Sequence, residues 1–271
     1  MDSPQKLVSF CIPCKNRLSY LKETLPVNLE HNRRDQSHTE FVLVDFASED
    51  GLSDWVTQNF ETELRSGYLR LLYTDRMSDY HMALAKNTAH AFATGRILTN
   101  LDADNFTGPS GGRFVYKAMK NRNFETVLHQ FSGTWRDGTC GRISYTREHF
   151  IGVGGYNEEF KAIGAEDLDL LQRIMAKYNV SKETGISSGF RHLVFRKWKK
   201  LKSHPRYNKA IKSPPTGGES FRNEMVAHNQ KLSDINIANH QYIANNGHFG
   251  IINNVSIWSN GRFDPCQKTY S

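Results

Sequence analysis

Short apolar segments that alternate with amphipathic ones constrain the fold of this chain more than any other feature. Four of them lie in the first half: LVSFCI (7–12), FVLVDF (41–46), LRLLY (69–73) and RILTNLD (96–102). Each is nearly continuously apolar and rich in leucine or β-branched residues, which is typical of strands covered on both faces of a parallel sheet. The segments therefore predict four buried strands.

The segments between these strands have apolar residues at helical spacing. The positions are Leu18, Leu21, Leu25, Leu29, Met82, Ala85, Ala89 and Phe92. They predict one helix that starts near Leu18 and another that ends before Gly95. The order strand, helix, strand, helix predicts an α/β fold with a doubly wound, mainly parallel sheet. Ligands of such sheets bind at the carboxyl ends of the strands.

The alternation of apolar strands and amphipathic helices is less regular in the second half of the chain. A further amphipathic helix is predicted from about residue 166 to 178, and beyond it the chain is polar and rich in asparagine, with SPPTGG (213–218) as a loop or linker. We therefore expect a main domain over residues 1–202. A polar C-terminal extension, residues 203–271, is expected to pack on this domain or wrap around it.

Charge and hydropathy limit the surroundings of the protein. The chain has no apolar stretch near the roughly 20 residues of a membrane span, and Met1–Lys6 lacks the apolar core of a secretory signal, so we expect a cytoplasmic protein. The net charge of +7 favours an anionic partner. The basic stretch 191–209 suits contact with an acidic membrane surface or an acidic glycan, although a solvated rim is the commoner outcome.

Two carboxylates follow the fourth predicted strand, in the stretch TNLDADNFTG (99–108). Side chains two positions apart on an extended segment point the same way, so Asp102 and Asp104 are expected to face one small volume. Like charges placed together raise a pKa or bind a cation, and oxygen ligands suit Mg²⁺ or Mn²⁺. The alternative is an ordinary turn at the strand end, where aspartate is common.

Five segments occur in the order and at the spacing found in one enzyme family. They read VSFCIPCKNRLSYLKETL, FVLVDFASEDG, AKNTAHAFATGRILTNLDADN, GVGGYNEEF and AEDLDLLQR. Over about residues 7–180 the chain thereby resembles inverting family-2 glycosyltransferases of the GT-A fold. The resemblance implies a GT-A-like sheet with a nucleotide-binding, Rossmann-like half. It also implies a metal-dependent hexosyl- or N-acetylhexosaminyltransferase that uses a UDP-sugar to extend a saccharide or glycoconjugate.

The resemblance implies roles for residues at the ends of the predicted strands. Asp45 would accept a hydrogen bond from the base of the donor, although Phe46 stands where the family usually has a second acid. Asp104 would hold Mn²⁺ or Mg²⁺ on the diphosphate, and Asp102 would act through water or the ribose. The remaining implied donor contacts are Pro13, Asn16, Arg17, Lys86 and Asn87.

The acids of AEDLDLLQR match the acidic acceptor motif of the family. The resemblance implies that Glu166 or Asp167 is the general base, and we favour Asp167, because a buried carboxylate can take a proton from the acceptor hydroxyl. The alternative is ordinary capping of a helix, since carboxylates are favourable in a first turn. Aromatic residues placed to contact the acceptor, or to pack in the core, are Trp135, Tyr145 and Tyr156.

A second resemblance lies in HLVFRK (192–197), which looks like the metal-histidine segment of polypeptide N-acetylgalactosaminyltransferases. It implies His192 as a third metal ligand, with His204 as a competitor. That family is retaining, whereas the acidic motif suits an inverting enzyme, which is the expectation we adopt.

Two other functions fit parts of the pattern. A sugar-phosphate nucleotidyltransferase also binds nucleotides on such a sheet, but IPCKNR lacks the glycines of its phosphate loop. A non-catalytic protein could instead bind acidic polymer through residues 191–209. We expect a nucleotide sugar and a saccharide acceptor as partners, with peripheral membrane contact open and no nucleic acid.

Overall fold

The computed structural model describes residues 6–131, 139–184 and 218–266. Within these residues, nine strands form one sheet. They are β1 (Val8–Cys14), β2 (Thr39–Asp45), β3 (Leu69–Tyr73), β4 (Ile97–Asn100), β5 (Thr126–His129), β6 (Ile143–Thr146), β7 (Ser181–Thr184), β8 (Val255–Ser259) and β9 (Arg262–Cys266). Their order across the sheet is β7-β5-β6-β4-β1-β2-β3-β8-β9.

The centre of the sheet is parallel, which confirms the predicted α/β class. Strand β1 pairs in parallel with both β2 and β4, and β2 pairs in parallel with β3. Antiparallel strands lie outside this centre, with β6 beside β4 and β8 beside β3. The predicted strands have the right places, but β1 runs on to Cys14 and β4 already ends at Asn100.

Eight helices lie in the described part of the chain. They are α1 (Leu18–Asn32), α2 (Leu52–Asn59), α3 (Glu61–Arg65), α4 (Met82–Ala91), α5 (Gly111–Lys120), α6 (Arg147–Gly152), α7 (Glu166–Tyr178) and α8 (Gly218–Ala238). Single turns of 3₁₀ helix cover Arg33–Asp35 and Asn245–Gly247. The helices predicted from apolar spacing correspond to α1, α4 and α7.

The core lies on both faces of the sheet. Successive residues of β2 belong to different buried clusters, since Leu43 lies in one and Val42 and Val44 in the other. Helices α1, α2 and α5 cover the first face, and α4, α6 and α7 cover the second. All four leucines that predicted α1 are buried. The doubly wound arrangement therefore follows from the nearly continuous apolar strands.

Residues 218–266 add two strands to the sheet and one helix to the layer that contains α7. Strand β8 pairs with β3, β9 pairs with β8, and α8 packs on α7. Phe249 and Val255 belong to the buried cluster on the α7 face. The expected domain boundary at residue 202 lies outside the described residues. Within the described ranges, no helix is long and apolar enough to span a lipid bilayer.

Candidate active site

The carboxyl ends of β1, β2 and β4 lie side by side at one edge of the sheet. Cys14 at the end of β1 pairs with Asp45 at the end of β2, and Cys11 pairs with Asn100 at the end of β4. The loops that follow these strands are 15–17, 46–51 and 101–110. They leave the sheet at the same edge, where ligands of doubly wound sheets bind.

Asp102 and Asp104 lie in a tight turn and not on an extended segment. Strand β4 ends at Asn100, and the backbone N–H of Asn105 donates to the carbonyl of Asp102 over 2.9 Å. The prediction that alternating strand geometry aligns the two carboxylates is therefore wrong. The turn nevertheless places the two carboxylates near each other. Burial raises the pKa of Asp104, and the nearby charge of Asp102 raises it further.

The Asp104 carboxylate is oriented by hydrogen bonds but remains unfavourably charged. The side-chain amide of Asn105 donates to Asp104 Oδ1 over 2.9 Å, and Arg142 donates to Asn105 Oδ1 over 2.6 Å. Burial, and next the negative charge of Asp102, still raise the pKa of Asp104 to about 6. A cation bound between the two carboxylates would remove this penalty.

The atoms around the pair suit a hard divalent cation. Asn100 Nδ2 donates to Asp102 Oδ1 over 3.1 Å, while the buried Asn100 Oδ1 accepts no hydrogen bond from the described residues. Oxygen atoms of this kind are the ligands that Mg²⁺ and Mn²⁺ prefer. No cluster of three or more His, Cys, Asp or Glu side chains in the described ranges could hold a metal. The described residues therefore contain no complete metal site, and the aspartate pair is a candidate for part of one.

A buried lysine contacts both acids of the second acidic pair, Glu166 and Asp167. Lys86, on α4, is only 2% exposed. Its Nζ donates to Glu166 Oε1 over 2.8 Å and to Asp167 Oδ1 over 2.6 Å. Both acids open α7, and Lys86 also lies 5.3 Å from the centre of the Tyr156 ring. The first turn of α7 is thus held by an ammonium group, beyond simple helix capping.

The two acids on Lys86 have different electrostatic surroundings. Burial raises the pKa of Asp167 to about 7, because Lys86 offsets only part of the combined effect of burial and the charges of Glu166 and Asp102. For Glu166, burial also favours the neutral form, but Lys86 outweighs it and lowers the pKa. Burial alone would lower the pKa of Lys86, yet the carboxylates of Asp167 and Glu166 raise it well above its ordinary value. Asp167 is therefore the more basic carboxylate of the pair.

Gly141 lies between the two acidic pairs, close to one carboxylate of each. A Cβ atom at this glycine would lie 3.0 Å from Asp167 Oδ2 and 3.2 Å from Asp102 Oδ2. Its carbonyl accepts a hydrogen bond from Asn100 Nδ2 over 2.9 Å. The missing side chain thus leaves room between the carboxylates. Gly141 and Arg142 were not predicted as site residues, because only the folded chain brings them to the acids. Asn100 was not predicted either, although it lies two positions before Asp102 in the sequence.

The residues expected beside the donor base hold their own loops together. Asp45 is 1% exposed and accepts hydrogen bonds from Ser48 N over 2.9 Å and from Ser53 Oγ over 2.5 Å. Asn16 Oδ1 accepts from Glu49 N over 2.8 Å. These contacts fasten the loops after β1 and β2 to each other, so the edge of the site is preformed.

Three more predicted donor contacts have different environments. Pro13 is buried within β1, and the Arg17 guanidinium lies 5.3 Å from the centre of the Tyr20 ring at the start of α1. Asn87 is fully buried, with its amide donating to Tyr156 O and Glu158 Oε1 and its Oδ1 accepting from Tyr156 N. The Asn87 side chain thus supports the GVGGYNEEF loop and does not face the site in this structure.

Several predicted residues lie outside the described part of the chain or in its core. His192, His204, Trp135 and the basic stretch 191–209 lie outside the described residues. Tyr145 and Tyr156 are fully buried and pack with Phe150. The core interpretation holds for these two tyrosines, since a fully buried ring cannot stack on a sugar.

A cavity of about 460 Å³ lies at the opposite end of β4 from the acids. Its lining residues are Thr94, Gly95, Arg96, Asn123, Phe124, Glu125, Thr146, Arg147, Glu148 and His149. Gly95 and Arg96 precede β4, whereas the aspartate pair follows it. This cavity is therefore separate from the candidate site.

Residues 9–159 match the sequence model of glycosyl transferase family 2. The match includes the ends of β1, β2 and β4 and the aspartate turn, and it stops before α7. No curated protein sequence matches the chain. The family match favours the glycosyltransferase interpretation over a nucleotidyltransferase, and it does not extend to the HLVFRK segment.

Solved structures of glycosyltransferases have a similar fold. S. aureus TarS 1-349 matches with a TM-score of 0.54 and 15% identity, over 73% of this chain and 66% of that chain. The complex of TarS 1-349 with UDP-GlcNAc matches with a TM-score of 0.53 and 13% identity, over 83% and 71% of the two chains. Mannosyltransferase PcManGT from Pyrobaculum calidifontis, in complex with GDP-Man and Mn²⁺, matches with a TM-score of 0.53 and 19% identity, over 88% and 72%. At these identities the likeness shows the fold.

Proposed function

The chain belongs to glycosyl transferase family 2, and on this premise we propose that it transfers a sugar from a nucleotide sugar to a hydroxyl of a saccharide acceptor, with a divalent metal ion. The observation that carries the proposal is the geometry around Gly141. Asp102 of one carboxylate pair and Asp167 of the other approach each other there, and in the described part of the chain a buried lysine hydrogen-bonds to the second pair alone. Sugar transfer needs two such functions, one for the leaving group and one for the acceptor.

The aspartate turn would hold the metal. Asp102 and Asp104 supply carboxylate oxygens, and Asn100 fixes the orientation of Asp102. A bound Mn²⁺ or Mg²⁺ supplies positive charge to the departing nucleoside diphosphate. His192 remains a proposed additional ligand. The raised pKa of Asp104 supports this assignment, because a carboxylate pair in this state gains from a cation.

Asp167 would be the general base. Its carboxylate takes the proton of the acceptor hydroxyl as the oxygen forms its bond to the sugar carbon. Lys86 donates to Asp167 Oδ1 over 2.6 Å, which keeps the other oxygen, Oδ2, on the side of Gly141 and Asp102. Attack by an activated acceptor from the side opposite the leaving group inverts the sugar configuration, so we propose an inverting enzyme.

The loops after β1 and β2 would receive the nucleotide. Asp45, Asn16 and Arg17 lie in or beside these loops, and the hydrogen bonds within them preform that edge of the site. We propose a UDP-sugar as donor, which the UDP-GlcNAc and UDP complexes of TarS support as a precedent for this fold. A hexose or N-acetylhexosamine would be transferred, in polysaccharide or glycan synthesis.

A donor screen tests the proposal. The protein is incubated with Mn²⁺, a panel of nucleotide sugars and saccharide acceptors, and release of the nucleoside diphosphate is measured. We expect release from a UDP-sugar that depends on Mn²⁺ and disappears in Asp104→Ala. Full activity of Asp104→Ala without added metal would contradict the metal assignment. Release of pyrophosphate from a nucleoside triphosphate and a sugar phosphate would contradict the reaction class.

A further inference from the structure

The loop before the acidic pair needs support from outside itself. Residues 160–165 run from the last residue of the GVGGYNEEF segment to α7, and they form neither helix nor strand. Ala165, directly before Glu166, has a φ of 65°, and Gly164 has a φ of 98°. A left-handed conformation is unfavourable for alanine, so contacts with neighbouring elements must hold it. The position of Glu166 and Asp167 depends on those contacts.

One side of the loop is held by the start of α4. The backbone N–H of Met82 donates to the carbonyl of Ala162 over 2.8 Å. His81 Nε2 lies 2.7 Å from the carbonyl of Phe160, and its Nδ1 accepts from Leu84 N over 3.3 Å. Since Nδ1 is the acceptor, Nε2 carries the proton and donates to the loop. This side links the loop to the helix that carries Lys86.

The other side is held by Asn229 of α8. Asn229 is fully buried, and its Oδ1 accepts from Lys161 N over 2.7 Å. Its Nδ2 donates to Lys161 O over 3.0 Å and to Gly164 O over 2.8 Å, and a weaker third contact reaches Ile163 O over 3.3 Å. One side-chain amide thus contacts four backbone groups of a loop that has no secondary structure of its own.

The same face of α8 also holds α7. Ser233 lies four positions after Asn229 and therefore on the same side of the helix. Its hydroxyl donates to Asp169 Oδ1 over 2.8 Å, and Asp169 Oδ2 pairs with the buried Arg173 over 2.7 Å. Arg173 in turn donates to the carbonyls of Val153 and Gly155. Asn229 and Ser233 therefore grip the loop before the acidic pair and the helix after it.

The packing around this face is close. Val226 lies against Gly164, so that a Cβ atom on this glycine would overlap with Val226 Cγ2. Met225, four positions before Asn229, is also buried. An apolar residue at position 229 could fill the space, but it would leave the carbonyls of the loop without donors. A buried asparagine here fixes where the loop lies, which is more than packing requires.

We propose that α8 acts as a brace for the catalytic loop, with Asn229 as the positioning residue for Glu166 and Asp167. The inference rests on the proposed function, since these acids are its candidate base and acceptor contacts. Asn229 touches no substrate and acts through Gly164 and Ala165. The asparagine-rich C-terminal segment thereby belongs to the catalytic machinery of a site whose acids lie about sixty residues earlier in the chain.

The test uses Asn229→Asp, which keeps the shape of the side chain. The new carboxylate oxygen would face the carbonyls of Lys161 and Gly164 and repel them. The matched control is Asn223→Asp on the exposed part of the same helix. We expect kcat of Asn229→Asp to fall about 10- to 100-fold, since small displacements of a catalytic group cost this much. The affinity for UDP with Mn²⁺ should stay at the wild-type value.

Loss of stability alone would give a different pattern. Thermal unfolding is measured first, and kcat is compared at a temperature at which both variants are folded. A variant that is merely less stable keeps its kcat per folded molecule, and this result would overturn the proposal. Should Asn229→Asp not fold, Ser233→Ala replaces it, with an expected loss of about fivefold in kcat for one hydrogen bond. An unchanged kcat in Ser233→Ala would then overturn the proposal.

Hydrogen exchange separates this proposal from the proposed function. Amides of residues 160–167 should exchange faster in Asn229→Asp than in Asn223→Asp. A wild-type protein that releases no nucleoside diphosphate from any donor would refute the proposed function, yet the exchange difference would still show the brace. Equal exchange in the two variants would overturn the brace whatever the wild-type activity is.

Discussion

Two acidic pairs lie on either side of Gly141 and differ in how their charge is balanced. Glu166 and Asp167 share the ammonium group of the buried Lys86, at 2.8 and 2.6 Å. Asp102 and Asp104 lie in a turn where Asn100 and Asn105 donate neutral hydrogen bonds. Within the described residues, an ammonium group thus contacts one pair, whereas the other pair has hydrogen bonds from amides and only the weaker effect of the Arg17 charge on Asp104. This difference supports the proposal that the aspartate turn binds a cation from outside.

The largest effect is expected for Asp167→Asn. If Asp167 is the base, turnover should fall by about 10²- to 10⁴-fold, because an amide cannot take the acceptor proton. Binding of UDP with Mn²⁺ should be retained, since that function belongs to the other pair. The measurement is kcat beside calorimetric titration of UDP, with the exposed Glu159→Gln as control. Normal turnover of Asp167→Asn would show that Glu166 or another group is the general base.

Replacing Lys86, the cation that contacts both acids of α7, is expected to lower the stability of the fold. Lys86→Met leaves the buried Glu166 and the partly buried Asp167 without their ammonium partner, which we expect to cost about 3–5 kcal/mol of unfolding free energy. Urea unfolding measures this loss, and Lys117→Met, at an exposed position of α5, is the control. A loss below about 1 kcal/mol, the size expected for a surface ion pair, would show that Lys86 does not balance these acids.

The pH dependence of catalysis gives a smaller, graded effect. Burial raises the pKa of Asp167 to about 7. A base with this pKa is ionised above pH 7 and protonated below it. We therefore expect kcat/KM to level off above pH 7 and to fall by about tenfold for each pH unit below it. A profile that stays flat down to pH 5 would show that the base is a carboxylate with an ordinary pKa.

Local sequence signals predicted the fold well. Leucines at helical spacing gave α1, and the acidic start and apolar face gave α7 with its observed bounds, Glu166–Tyr178. Apolar runs gave the central strands, because strands buried on both faces cannot be polar. The prediction failed for the segment after β4, where a turn replaced the expected extended chain. The aspartates and the asparagine of DADN are common in turns, so the alternative of a turn at the strand end is the one that the structure confirms.

The contacts that assemble the site could not be predicted in the same way. Lys86 reaches Glu166 across eighty positions, and Asn229 reaches Gly164 across sixty-five. Such contacts have no period, so they leave no pattern along the chain. Asn87 was expected to contact the donor because of its place in a motif, and its side chain instead holds the loop at Tyr156 in this structure. The resemblance drew attention to both acidic pairs, and the fold showed that Lys86 contacts Glu166 and Asp167.

Calorimetric titration of UDP with and without Mn²⁺ tests the central claim most directly. If the aspartate turn binds the metal, the wild-type protein binds UDP in a Mn²⁺-dependent manner and Asp104→Asn loses this dependence. The exposed Asp54→Asn should bind as the wild type does. Undiminished Mn²⁺-dependent binding of UDP by Asp104→Asn would contradict the claim that the turn after β4 requires an external cation.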